Sequence, residues 1–158
     1  LEVIIVSTLY QLRLFAGCFT IFIFPSILMA TQVYLITTLI FFCKRYSDIF
    51  LSIDNSKIFS LYVNKEKLLI KVIYFLFVLC IINYIFYFLN TSYVNIYSLI
   101  KLLVLVNLIG IGLFEFIKKS IKNKMASDPV KLILSSYKIL ITFLIWLLIE
   151  IISKIKDL

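Results

Sequence analysis

The 158-residue sequence has no histidine, 3 glycines, 2 prolines and 3 cysteines, and half as many acidic side chains as basic ones. Without histidine there is no imidazole to ligate haem or metal and no ordinary proton shuttle near neutral pH. Chemistry here must run on carboxylates, cations, amides and hydroxyls. Cys18, Cys43 and Cys80 lie too far apart for a zinc motif, and each sits in an apolar stretch, so they read as small buried hydrophobes. No glycine-rich phosphate loop, Ser-His-Asp set or internal repeat is present. Charge is also scarce, at 15% of residues against about a quarter in a soluble domain.

Apolar side chains fill the space that charge leaves. They make up 63% of positions and raise the mean hydropathy to +1.12, more than a soluble fold of this size can hide from water. Lipid is the solvent that suits such a chain, and the expected fold is all-α, an integral membrane bundle of about five transmembrane helices. The net charge of +8 then reads as loop cations beside a membrane surface, and no nucleic acid partner is expected. The heavy use of Ile, Phe, Tyr, Lys and Asn reflects an AT-rich genome and carries no function.

A span needs about 20 apolar residues. Charge-free runs and their interruptions place spans at about 2–24, 26–43, 72–90, 97–117 and 132–152 within a single transmembrane domain. Pro25-Ser26 separates the first two, and Asn90-Thr91-Ser92 with Asn95 separates the third and fourth. Two polar stretches, expected as loops, cover 44–71 and 118–131. The first region holds Lys44, Arg45, Lys57, Lys65, Lys67 and Lys71, and the second, extended to residue 138, holds Lys118, Lys119, Lys122, Lys124, Lys131 and Lys138. The opposing turns hold no cation, so the basic side is expected to be cytoplasmic, in a cell membrane of bacterial type. Lys101, near the outer end of the fourth span, is expected to snorkel to the headgroups. The chain opens Leu1-Glu2-Val3 without a methionine and already reads as span, so further polypeptide is expected upstream.

Two features could carry chemistry. Arg13 falls near the middle of the first span, where a cation is costly unless it faces protein, water or an anion, so it is expected to face the bundle interior. It serves either as an anion site for a phosphorylated substrate or as a structural arginine that snorkels or bonds backbone carbonyls. The second feature is Lys44-Arg45-Tyr46-Ser47-Asp48, at the end of the second span. It is either a positive flank with Lys44 and Asp48 paired one turn apart, or two cations for phosphate oxygens beside a carboxylate for magnesium.

The segment LEVIIVSTLYQLRLFAG, followed by a Pro-Ser and then by LITTLIFFCKRYSDI, resembles the second half of the UbiA prenyltransferase superfamily. It is most similar to the decaprenyl-phosphate phosphoribosyltransferase branch. Leu12, Arg13, Ala16 and Gly17 match a Leu-Arg-x-x-Ala-Gly pattern, and Lys44 and Arg45 match a Lys-Arg-x-x-Glu pattern with Asp48 in place of glutamate. Gly112-Leu113-Phe114 followed by Asp128-Pro129 and the last apolar run extend the likeness to the end of the chain.

The resemblance implies the last five of nine spans in a helical barrel and a magnesium-dependent transferase. Its donor would be phosphoribosyl diphosphate or a prenyl diphosphate. Its acceptor would be an isoprenoid lipid such as a polyprenyl phosphate, or an aromatic compound. Lys44, Arg45 and Asp48 would be catalytic, with Asp48 serving the metal, and Arg13, Lys44, Arg45 and Asp128 would bind substrate. The family's first Asp-rich motif has no counterpart in this chain, so a missing N-terminal half is an expected partner and this half alone is expected to be inactive. Glu115 stands where the pattern has arginine, and Ser136-Tyr137 replace an acidic-basic pair. A non-catalytic multi-span subunit of a membrane complex is the rival reading.

Overall fold

A computed structural model describes residues 2–22, 24–51, 59–91, 96–123 and 128–156. Among them there is no strand. Six helices follow one another: α1 Glu2–Thr20, α2 Ile27–Leu51, α3 Phe59–Thr91, α4 Ile96–Asn123, α5 Pro129–Ser135 and α6 Tyr137–Lys156. Four of them (α1 to α4) are long and apolar enough to cross a bilayer, and the bent pair α5–α6 makes a fifth crossing if counted as one span. The protein is an all-α, multi-pass helical bundle of the membrane type.

The turns are set by local chemistry. Phe22 adopts a left-handed backbone (φ 54°), and the Ser26 hydroxyl accepts a hydrogen bond from the Met29 amide at 3.2 Å, capping the start of α2. The Pro25-Ser26 break expected from sequence is therefore a helix cap preceded by a tight turn.

Two expectations about extent are corrected. The polar stretch 44–71 is not a loop throughout: α2 continues to Leu51 and α3 begins at Phe59, and residues 52–58 lie outside the described set. Charged side chains are compatible with helix once the helix projects beyond the apolar layer, so the charge pattern marks the membrane edge and not the helix end. The fifth span is not one helix. It breaks at Ser136 with an 85° bend. In an unbroken helix the Ser136 amide would bond to the Leu132 carbonyl. Here that carbonyl accepts from the Ser136 hydroxyl at 2.6 Å and from the Ser135 hydroxyl at 3.1 Å, and the Ser136 amide turns to Ile133 at 3.1 Å. Serine hydroxyls compete with the backbone in this way, and two together redirect the chain.

Side-chain pairs fix the register and show neighbouring helices running in opposite directions. Between α1 and α2 the partners are Glu2 with Arg45, Ser7 with Thr38, and the Gln11 amide with the Ala30 carbonyl. Between α2 and α3 they are Tyr46 with Glu66, and Thr31 and Gln32 with Asn83. Between α4 and α6 they are Glu115 with Lys138 and Lys101 with Glu150. Each ladder has rising numbers on one helix against falling numbers on the other, as alternating spans require.

The larger core cluster joins Leu39, Cys43, Ile73, Cys80, Phe116, Ile117 and Leu132 at the basic end, and a smaller one joins Tyr84, Phe88 and Leu105. Cys43 and Cys80 are buried as expected, and Cys18 is half-buried. Ile, Leu and Phe side chains are exposed on every helix, which suits a molecule whose outer surface meets lipid.

Candidate functional site

The N-terminal end of α1 and the last turns of α2 meet at the end of the bundle where the cations collect. Glu2 sits on the first turn of α1, where the helix dipole favours an anion. Lys44, Arg45 and Asp48 follow one another within about a turn on α2. These four side chains, with Val3, Val6 and Phe41, line an open pocket of about 200 Å³. Ligand pockets for whole small molecules are larger, about 300–1,000 Å³. The size suits a phosphate-bearing group with any apolar tail lying outside, along the helices.

Charges are mixed within the pocket. Arg45 forms an ion pair with Glu2, both of them substantially exposed. Among the described residues no ion pair joins Lys44 to Asp48, so the simple i, i+4 pairing open at sequence level is not formed. Lys44 and Asp48 both line the pocket. Beneath this surface Tyr46 donates its hydroxyl hydrogen bond to Glu66 of α3 at 3.1 Å, and buried Ser47 bonds to the Ser120 carbonyl of α4 at 3.4 Å. The adjacent Tyr46 and Ser47 thus anchor the helix inward and leave Lys44, Arg45 and Asp48 at the pocket.

For a divalent cation the donor set is partial. Among the described residues no group of three or more carboxylates, thiols or imidazoles occurs. Glu2 and Asp48 are the two carboxylates on the pocket, and Glu2 is already engaged by Arg45. Magnesium commonly takes one or two protein carboxylates and completes its octahedron with water and substrate phosphate. The residues present fit a cation of that kind only when it arrives with a phosphate.

Arg13 is placed differently from expectation. It does not face the bundle interior: it is exposed, with its guanidinium 5.3 Å from the centre of the Tyr10 ring. Sequence reveals depth but not which face of a helix finds a neighbour, and α1 packs chiefly against α2 alone. Arg13 lies about 16 Å along α1 from Glu2 and is not a wall of the pocket. The Tyr10 ring packs on Phe41 at 5.9 Å, and Phe41 lines the pocket, so two aromatic rings separate the cation from the site. Asp128 is also apart from the pocket. It precedes α5, makes no side-chain cap, and forms an exposed 3.0 Å ion pair with Lys131.

Sequence reasoning missed a second polar cluster at the opposite end. The Lys101 ammonium lies 3.7 Å from Glu150 and 5.4 Å from the centre of the Phe88 ring. Glu150 also accepts a hydrogen bond from the Tyr84 hydroxyl at 3.2 Å, and Trp146 donates to that same hydroxyl at 3.2 Å. Three helices share this network, and the available signal was one acidic residue late in an apolar run. Glu115 and Ser136, where the family pattern is broken, are likewise engaged: Glu115 with Lys138 at 3.6 Å, and Ser136 as acceptor from Lys119 at 2.7 Å.

No family model, curated protein or solved structure matches the chain.

Proposed function

We propose that this chain is part of a UbiA-type membrane transferase that joins a phosphorylated or diphosphate donor, phosphoribosyl or prenyl, to a lipid or aromatic acceptor. The observation that supports it is the meeting of Lys44, Arg45 and Asp48 on one phosphate-sized pocket, at the basic end of an apolar bundle. On this reading Lys44 and Arg45 hold phosphate oxygens, and Arg45 exchanges part of its pairing with Glu2 for the incoming anion. Asp48, with the substrate phosphate, holds magnesium, which would neutralise charge on a departing diphosphate. The apolar part of a lipid substrate lies against the exposed apolar side chains of α1. The pocket end is cytoplasmic, in a cell membrane of bacterial type. Arg13 and Asp128 have no place in this pocket and are given no substrate contact.

Binding of inorganic diphosphate with magnesium to the chain in lipid nanodiscs tests this. Asp48→Asn should raise the magnesium concentration needed for half-saturation, because it removes the charge a hard cation requires. Arg45→Lys should weaken diphosphate binding with little change in the magnesium requirement, because charge is kept and the planar fork is lost. No saturable binding, or identical curves for the unaltered chain and both variants, would sink the proposal. The Glu2–Arg45 pair favours a second reading, a non-catalytic subunit in which Arg45 is already neutralised within the chain and the cluster is only a flank.

A further inference from the structure

The open flank of α1, beside its contact with α2, carries a charge that lipid does not satisfy. α1 meets α2 through Glu2, Ser7, Tyr10 and Gln11, and Arg13 is exposed beside that contact. For Leu9 and Leu12, both more than half exposed, hydrocarbon is a sufficient neighbour. For Arg13 it is not.

Depth and direction sharpen the point. The 19 residues of α1 extend about 28 Å, close to the thickness of the hydrocarbon layer. Arg13 lies about 10 Å from the Thr20 end, the nearer surface. Helical side chains lean toward the helix N-terminus, and the guanidinium stacks on Tyr10, on the side of Glu2. The cation is aimed at the middle of the membrane, so snorkelling to the nearer headgroups does not relieve it. The Tyr10 ring is an incomplete substitute for the hydrogen-bond acceptors that the guanidinium requires.

Beside Arg13 the helix surface is built for close approach. Ala16, Gly17 and Thr20 are exposed on the same face, and a Cβ placed on Gly17 would meet nothing within 4 Å. Small residues are what let two membrane helices bring their backbones together.

We propose that the Arg13 face of α1 is the docking surface for a transmembrane helix of a partner membrane protein, one that presents an Asp or Glu to Arg13. The partner's helix seats on Ala16, Gly17 and Thr20, and its carboxylate meets the guanidinium above Tyr10. A second copy of this chain does not supply the complement. Two such faces packed about a twofold axis set Arg13 against Arg13, while Glu115 and Glu150 are each less than a third exposed and paired with Lys138 and Lys101. A lipid phosphate sits at the headgroups, from which Arg13 is directed away. The proposal does not depend on the transferase reading, since the pocket and this face can be altered separately.

The test uses the full chain in neutral phosphatidylcholine vesicles, with a fluorescent amino acid at Leu12 as energy-transfer donor. The acceptor is a labelled leucine-rich transmembrane peptide carrying one central Glu, compared with the same peptide carrying Leu there. The Glu peptide should associate about tenfold more tightly than the Leu peptide, the scale of one interhelical polar contact in lipid. Arg13→Leu, which eases insertion, should bring the two peptides to the same affinity, and Gly17→Ile, which keeps the charge, should weaken the Glu peptide by blocking close approach. Equal affinity of the two peptides for the unaltered chain would overturn the proposal. So would a preference that survives Arg13→Leu, or Arg13-dependent self-association of the chain that displaces the Glu peptide. Loss of the preference when phosphatidylglycerol is added would assign Arg13 to lipid phosphate and overturn it as well.

Discussion

Lys101 and Glu150 illustrate how single residues govern this molecule. Each is about three-quarters covered, and the pair ties α4 to α6 while Tyr84 adds α3 through its hydroxyl. Removing one charge leaves the other in a poorly solvated place, which costs more than removing both. Glu150→Leu should therefore destabilise the protein by about 1–3 kcal/mol, less than for a fully buried pair because some exposure remains. The double variant Lys101→Leu/Glu150→Leu should recover most of that loss in SDS-induced unfolding from mixed micelles. If the double variant is as unstable as the sum of the two single ones, the pair is not the source of the effect. The pairing was not legible in sequence: Lys101 and Glu150 are 49 positions apart, and only packing shows that they meet. The Lys44, Arg45 and Asp48 set was legible because one helical turn brings its members together without tertiary help. Arg13 was half legible, since its depth follows from the apolar run around it and its open face does not.

Among the elements, α4 and α6 come close to each other where a glycine permits it. A Cβ on Gly112 would stand 3.1 Å from the Thr142 hydroxyl oxygen, and that oxygen is held by hydrogen bonds to the Lys138 and Ile139 carbonyls at 3.0 and 2.9 Å. Thr142 therefore cannot swing away without cost. Gly112→Ala should lower stability by about 1–2 kcal/mol through overpacking, in spite of the better helix propensity of alanine. Gly17→Ala on the open face of α1 should be neutral or slightly stabilising in the isolated chain. Thermal unfolding in detergent distinguishes them, and equal shifts for the two variants would mean that α4 and α6 do not pack in this register. The sequence located the elements well because long apolar runs have few alternatives in lipid. It located their ends poorly. α2 outruns its apolar stretch to Leu51, and the break at Ser136 arises from two hydroxyls competing for one carbonyl, which composition does not announce.

At the scale of the whole molecule, the antiparallel ladders between neighbours put the α1–α2 turn at one end of the bundle and the α4–α5 connection at the other. The pocket of Glu2, Lys44, Arg45 and Asp48 belongs to the second end, with Lys119 and Lys131. The transferase proposal and the docking face both rest on this arrangement across a bilayer: a polar site at the cationic surface and Arg13 inside the apolar layer. Single cysteines reactive toward a membrane-impermeant maleimide test it most directly. Phe22, 92% exposed in the α1–α2 turn, and Lys131, with its side chain 84% exposed on α5, are the positions to use, and the unaltered chain controls for its native cysteines. In intact cells Phe22→Cys should be labelled and Lys131→Cys should react only after permeabilisation, as the excess of basic residues beside α5 requires. Labelling of both from outside would contradict a bundle that alternates across the membrane, and labelling of Lys131→Cys alone would invert it and take the candidate site off the cytoplasmic face.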